Sequence, residues 1–276
     1  MKKHIGITPV AAIMLSAAAV QAEVVYRAGF NEQLDHINTT TYSIDLSVPL
    51  DDQIYSLATQ PGTNTLFGVT DAVGGDGLVT VDPVTGAFTS VVQMLDPLDP
   101  APFFSSITFT PDGSLYAIAT RDTSWVPGSI LEVDMVTGDL TDTGWTSGGV
   151  GGQALEFNPD DGLFYHFYNT GGAGGGDTLL ETVDPITEIV TPVPISGYDL
   201  NVVNALAYAG DGKFYAYDNT TGDLLEITTA GEVSLLNAFG VNGTFIGHGL
   251  ALPVYVPEPG ALGLLVIGGL PAIRRR

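Results

Sequence analysis

The stretch ITFTPDGSLYAI at residues 107–118, followed by ILEVDMVTGDLT at residues 130–141, decides the fold class. Each half consists of two short runs rich in Ile, Leu, Val, Phe and Tyr, which is typical of β-strands. Pro-Asp-Gly separates the first two runs, and Val-Thr-Gly separates the second two. Glycine suits such hairpin turns because it adopts positive φ without a steric cost. The stretch therefore predicts one antiparallel unit of four strands.

The same unit recurs along the chain. The other copies are IYSLA (54–58) with LVTVDPVTGAFT (78–89), LEFNPDDGLFY (155–165) with LLETVDPIT (179–187), and LAYAGDGKFYA (206–216) with LLEITTAGEV (224–233). The first strands begin at residues 54, 107, 155 and 206, so the period is about 50 residues. A period of this length with several short strands per copy indicates a β-propeller or a related array.

Two remnants flank the four complete copies. Residues 24–28 (VVYRA) resemble a second strand and residues 42–46 (YSIDL) a third, whereas residues 247–252 (GHGLAL) resemble a first strand. Together they supply one more blade, made from both ends of the chain. Such a closure joins the ring and leaves no exposed edge strand. We predict an all-β propeller with five blades of four strands; six blades or an open array are the alternatives. The repeats resemble those of propeller proteins, a fold that hosts enzymes, lectins and scaffolds alike.

The N-terminal residues have the pattern of an export signal. Lys2 and Lys3 precede a mostly apolar run at residues 5–20, and Val20-Gln21-Ala22 is a small-residue cleavage site. We expect cleavage between Ala22 and Glu23. The predicted organisation is a signal peptide at residues 1–22, a propeller at 23–255 and a sorting segment at 256–276.

The C-terminal segment combines Val256-Pro257-Glu258-Pro259, an apolar run at residues 260–273, and Arg274, Arg275 and Arg276. This order resembles the PEP-CTERM sorting signal, which implies processing by a membrane protease, an exosortase, and delivery to the cell surface or extracellular matrix. The apolar run is shorter than the roughly 20 residues that span a bilayer, and the arginines act as a cytoplasmic stop. We therefore expect a transient association with the inner membrane that ends with cleavage near the Pro-Glu-Pro motif.

Between the two terminal signals the chain is strongly acidic. All 31 acidic residues lie from Glu23 to Glu258, and the only lysine or arginine residues beside them are Arg27, Arg121 and Lys213. Such a surface repels nucleic acid and anionic lipid. The chain has no cysteine, which excludes disulfides, thiolate metal sites and cysteine nucleophiles.

No recognisable catalytic motif accompanies the repeats. Asp82, Asp134 and Asp184 recur at one position of the repeat, and this recurrence predicts a structural role in capping turns. We expect no cofactor except possible calcium, for which the candidate ligands are Asp71 and Asp76 in one glycine-rich loop and Asp177 after another.

His166 lies in an aromatic run, FYHFY at residues 164–168. With Tyr165 and Tyr168 it is the candidate for a ligand-binding surface that lines the channel or stacks on sugars. Ordinary strand packing is the other interpretation of these residues.

These observations predict a non-enzymatic scaffold or adhesion protein, with exopolysaccharide or other surface proteins as partners. Two alternatives remain open. One is a secreted carbohydrate-active hydrolase or lyase that uses carboxylates in the channel, and the other is a protein-binding module.

Overall fold

The computed structural model describes residues 24–70, 77–94, 104–119, 128–146, 152–170, 177–240 and 247–253. They form twenty β-strands in five antiparallel sheets of four strands each. Each sheet is one blade, and its strands follow one another from the centre of the ring outward. Among the described residues no helix is long and apolar enough to cross a bilayer. The predicted five-bladed propeller is confirmed.

We number the blades in chain order. From inner to outer strand, blade 1 contains β20 (Gly247–Ala251), β1 (Val24–Gly29), β2 (Gln33–Asn38) and β3 (Ile44–Pro49); blade 2 contains β4 (Ser56–Thr59), β5 (Leu66–Thr70), β6 (Gly77–Val81) and β7 (Phe88–Gln93); blade 3 contains β8 (Phe104–Phe109), β9 (Leu115–Ala119), β10 (Ser129–Val133) and β11 (Leu140–Thr146); blade 4 contains β12 (Gly152–Asn158), β13 (Leu163–Asn169), β14 (Thr178–Val183) and β15 (Val190–Val193); and blade 5 contains β16 (Val203–Gly210), β17 (Lys213–Asp218), β18 (Asp223–Thr228) and β19 (Val233–Ala238).

Blade 1 joins the two ends of the chain, as predicted, because β20 pairs with β1. One part of the prediction is wrong. Residues 44–46 belong to the outermost strand of blade 1, and β2 is the third strand. The difference follows from burial: Leu34 and Ile37 in β2 are fully buried, whereas Ile44 and Leu46 are 39% and 49% exposed.

The hydrophobic core is divided among the five interfaces between neighbouring blades. Separate clusters of buried side chains join blades 1 and 2, 2 and 3, 3 and 4, 4 and 5, and 5 and 1. In each cluster, side chains from one sheet pack against the facing sheet of the next blade. Because a cluster also fills the interface between blade 5 and blade 1, the ring is closed by packing as well as by strand pairing.

Aspartate side chains cap the turns between the third and fourth strands of blades 2, 3 and 4. Asp82 Oδ1 accepts hydrogen bonds from the backbone N–H groups of Val84 and Thr85, at 2.8 and 3.1 Å. Asp134 and Asp184 make the same two bonds in blades 3 and 4. The turn-capping role predicted for these three residues is confirmed, and the repeated carboxylates have structural partners.

Glycine is required at the end of this turn in blade 2. Gly86 has φ of +76°, and a Cβ atom there would lie 1.9 Å from the carbonyl oxygen of Pro49 in blade 1. The turn therefore packs backbone against backbone across the interface between the blades. The Asp-Gly hairpin turns behave as predicted too, since Gly113, Gly162 and Gly212 all have positive φ.

Candidate functional site

The five inner strands stand side by side around the central channel. Small side chains fill one layer of these strands, namely Ser56, Ser106, Ala154, Ala205 and Gly249. They are small because the inner strands approach closely: a Cβ atom at Gly249 would lie 2.7 Å from the backbone nitrogen of Leu57. Hydroxyl groups also bridge the strands, since the Ile107 N–H donates to Ser56 Oγ at 2.9 Å and the Leu155 N–H to Ser106 Oγ at 3.0 Å.

Glu156 is the single acidic residue in the five inner strands. It lies on β12, in a layer where the other four blades have Ala58, Thr108, Ala207 and Ala251. The Thr108 hydroxyl donates to Glu156 Oε2 at 3.1 Å, and the Tyr208 N–H donates to Oε1 at 3.3 Å. The carboxyl group thus bonds to the inner strands of both neighbouring blades and joins blades 3, 4 and 5.

The position of Glu156 changes its acidity. Burial raises the pKa of its carboxyl group to about 8, although the hydrogen bonds from Tyr208 and Thr108 act to lower it. Desolvation penalises the charged form, and no basic side chain among the described residues bonds to this group to compensate. Glu156 is therefore largely a neutral acid at neutral pH. A neutral carboxyl group can donate as well as accept a hydrogen bond.

His166 lies inside the fold, on the second strand of blade 4. Its side chain is fully buried, and its Nδ1 atom is 3.0 Å from Oε1 of Glu181, which is also buried. The imidazole ring stacks on Tyr168 with 5.6 Å between ring centroids. Within the described part of the chain, His166 Nε2 is buried and has no hydrogen-bond partner. The pair is thus a polar unit embedded in the sheet.

The His166–Glu181 pair replaces an apolar pair found in other blades. Cross-strand partners at the same position are Gly68 and Val79 in blade 2, Ala117 and Leu131 in blade 3, and Ala216 and Leu225 in blade 5. In blade 1 the position is again charged, with Arg27 paired to Asp35. Their Nη2 and Oδ2 atoms are 2.6 Å apart and both side chains are buried. Two of the five blades therefore carry a buried polar pair at one equivalent position.

The residues predicted as a ligand surface have different environments. His166 and Tyr165 are buried, because both faces of a blade pack against neighbouring blades. The Tyr165 hydroxyl donates to Asp161 Oδ2 at 2.9 Å. Tyr168 is partly exposed. Of these three side chains, only that of Tyr168 is accessible to a ligand.

The remaining predicted sites are mostly outside the described residues. This holds for the calcium candidates Asp71 and Asp76, for the cleavage residues Ala22 and Glu23, and for the sorting signal, consisting of Val256, Pro257, Glu258, Pro259, Arg274, Arg275 and Arg276. Asp177 is exposed, and its N–H donates to Thr170 Oγ1 at 3.0 Å. No group of three or more His, Asp or Glu side chains in the described ranges has a geometry that would hold a metal ion.

Comparisons with known proteins support the fold alone. No protein-family model matches the sequence, and no curated protein sequence matches it. Solved structures do match: a chain of a nidogen/laminin complex has a TM-score of 0.56 and 10% identity over 84% of this chain and 98% of that chain. A protein of unknown function from Bacteroides caccae has a TM-score of 0.55 and 13% identity, over 83% and 98% of the two chains. At such identities the likeness establishes the propeller architecture.

Proposed function

We propose that the chain is an exported protein of the cell surface or extracellular matrix whose propeller acts as a non-catalytic scaffold. Export and exosortase processing are supported by the two terminal sequence signals. The propeller fold and its structural neighbours fit a scaffold or protein-binding module. The proposed partners are exopolysaccharide and other surface proteins, whereas the acidic composition disfavours nucleic acid.

The composition of the inner strands is the observation that carries the non-catalytic role. A glycosidase that uses two carboxylates requires them about 5–10 Å apart. The described inner strands supply one, Glu156, and its two oxygens accept hydrogen bonds from structural partners. The other side chains in its layer are Ala58, Thr108, Ala207 and Ala251. Inner strands that carry mostly small side chains and a single carboxyl group favour a scaffold over a hydrolase or lyase.

Co-sedimentation with exopolysaccharide purified from the producing bacterium tests the scaffold role. We expect the protein to be retained, in the presence of Ca²⁺ or EDTA, without release of new reducing ends from the polymer. Lack of retention under both conditions would refute polysaccharide binding. Release of reducing ends that is lost in the Glu156→Gln variant would establish the hydrolase alternative instead.

Mass spectrometry of the extracellular protein tests processing independently. We expect an N-terminus at Glu23 and a C-terminus near the Pro-Glu-Pro motif at residues 257–259. An intact Arg276 on the extracellular protein would contradict exosortase cleavage. The experiment needs no knowledge of the ligand, so it tests export and processing independently of polysaccharide binding.

A further inference from the structure

Three turns on consecutive blades expose an aliphatic side chain at the same position. Val84 in blade 2 is 75% exposed, Val136 in blade 3 is 88% exposed, and Ile186 in blade 4 is 89% exposed. Each lies two residues after the aspartate that caps the turn between the third and fourth strands. We call these three residues the aliphatic tips. Blades 1 and 5 have Thr40 and Ala230 at the corresponding positions, so three of the five blades carry an aliphatic tip.

The turns hold the tips in fixed positions. The backbone N–H of Val84, Val136 and Ile186 each donates to the capping aspartate at 2.8 Å. In blades 2 and 3, the turn glycine also packs against backbone of the preceding blade. Because the backbone is already ordered, a partner that binds the tips loses little conformational entropy in the propeller. Exposed single aliphatic residues are common on proteins, but here the same turn position is aliphatic and exposed on three neighbouring blades.

The tips lie among carboxylates. In an antiparallel four-stranded blade, the turn between the first two strands and the turn between the last two strands are at the same end. The acidic residues in these turns of blades 2, 3 and 4 are Asp82, Asp112, Asp134, Asp139, Asp160, Asp161, Asp184 and Glu188. Backbone hydrogen bonds lower the pKa of Asp82 and Asp134, and hydrogen bonds from Thr187 and the backbone lower that of Asp184. These three carboxyl groups are therefore ionised at neutral pH.

Basic side chains do not neutralise this surface within the described part of the chain. Arg27 and Lys213 are the only lysine or arginine residues there, and they bond to Asp35 and Glu226 respectively. Nucleic acids, anionic lipids and a second copy of this acidic chain would meet repulsion. The tips themselves are aliphatic, so they offer a sugar ring no aromatic face on which to stack. A polypeptide with aliphatic and basic side chains matches both properties of the surface.

We propose that the aliphatic tips Val84, Val136 and Ile186 dock a basic polypeptide segment whose aliphatic side chains contact the tips and whose lysines or arginines face the surrounding carboxylates. The proposal rests on the scaffold role, for which it supplies the class of protein partner. It places that partner on the exposed turns between third and fourth strands, away from the buried polar pairs.

Binding of a defined peptide tests the proposal. The probe is a fluorescent synthetic peptide of leucine and lysine, and its two controls replace leucine by serine or lysine by glutamate. The propeller is used as residues 23–253, because the five blades and all five interfaces close within residues 24–253. Fluorescence anisotropy is measured at low and physiological salt. We expect binding of the leucine–lysine peptide and much weaker binding of both controls.

A triple variant assigns the binding surface. Val84→Ser, Val136→Ser and Ile186→Ser together should weaken binding about tenfold or more. The matched control changes exposed aliphatic residues on outer strands, Leu46→Ser, Val91→Ser and Leu235→Ser, and should change binding less than about twofold. Circular dichroism verifies that both variants fold. If the triple variant does not fold, the binding measurement is made with the single variant Ile186→Ser.

Two results would overturn the proposal. One is absence of binding by the leucine–lysine peptide at low salt, and the other is equal binding by the wild type and the folded tip variant. The second result would mean that charge alone attracts the peptide. Neither result bears on polysaccharide binding or export, because the assay contains no polymer and no processing step. Failure of this inference is thus distinguishable from failure of the proposed function.

Discussion

The Glu156→Gln substitution should change how the stability of the propeller depends on pH. The pKa of this carboxyl group is raised from 4.5 to about 8 by burial. Between these values the folded state keeps a proton that the unfolded state has lost. The favourable contribution of the neutral acid is therefore fully present below pH 4.5 and is lost as pH rises through about 8. Glutamine stays neutral throughout. Its amide oxygen can accept from the Tyr208 N–H, and its amide N–H can donate to the Thr108 hydroxyl oxygen.

The magnitude follows from the pKa difference. Each pKa unit corresponds to about 1.4 kcal/mol, which gives a ceiling of about 5 kcal/mol. Glu156 retains partial exposure, so water screens part of the effect. We expect the free energy of unfolding of Glu156→Gln, relative to the wild type, to increase by about 1–3 kcal/mol from pH 5 to pH 9.

Urea unfolding, followed by tryptophan fluorescence at pH 5, 6, 7, 8 and 9, measures this difference. Trp145 reports on the ring because it packs between blades 3 and 4, against Phe164. Glu132→Gln is the matched control, since Glu132 is an exposed acid on β10 and its loss removes the same charge. A Glu156→Gln difference that stays as flat with pH as that of Glu132→Gln would refute the assignment of a neutral, partly buried acid.

Two further predictions concern the polar pair within blade 4 and a turn that packs between blades 1 and 2. Glu181→Leu should cost about 2–4 kcal/mol because it leaves the buried His166 Nδ1 without its partner. The double variant with His166→Ala should recover most of that loss, because it recreates the Ala–Leu pair of blades 3 and 5; a loss equal to the sum of both single variants in urea unfolding would contradict this. Gly86→Ala should cost about 3 kcal/mol or more, since strain at positive φ adds to a backbone clash. Gly113→Ala, with φ of +91° and no atom within 4 Å of the added Cβ, should cost about 1–2 kcal/mol, and equal melting temperatures for both variants would exclude the clash.

The repeat could be read from the sequence because each blade repeats its turn residues at fixed positions. The Asp-Gly and Thr-Gly turns fixed the period, and the period fixed the number of complete blades. The fourth strands carry less information, because they are exposed on the ring's outside and tolerate mixed composition. This explains why residues 44–46 were assigned to the third strand, although they form the outer edge of blade 1.

The buried polar groups show where sequence reasoning fails. Alternation along a strand usually separates a core face from a solvent face, but both faces of a propeller blade are covered by neighbouring blades. His166 therefore lies in the interior despite its place in an aromatic run. Glu156 depends on Thr108 and Tyr208, which are 48 and 52 residues away in the chain. Aligning the four complete copies of the repeat does reveal Glu156 and Glu181, as acids among small or apolar residues.

The Arg27–Asp35 pair has a consequence for closure of the ring. Arg27 stacks over Tyr217 and Phe239 of blade 5, with its guanidinium 4.9 and 4.5 Å from their ring centroids. A slip of β1 by one residue along β2 would place Arg27 opposite Leu34 or His36 and leave Asp35 buried without its cation. A buried unpaired charge costs several kcal/mol, so the pair selects one register.

Replacing Arg27 and Asp35 together by apolar residues separates their effect on strand register from their effect on stability. Arg27→Met alone should destabilise the protein by about 3–5 kcal/mol, because Asp35 stays buried without its cation. Adding Asp35→Leu should restore the free energy of unfolding to within about 1–2 kcal/mol of the wild type. The double variant should nevertheless refold from urea to a lower native fraction, measured by tryptophan fluorescence and size-exclusion chromatography, because mispaired registers no longer carry a buried charge. Full recovery of the native fraction by the double variant would show that apolar packing alone sets the register at which the two ends of the chain meet.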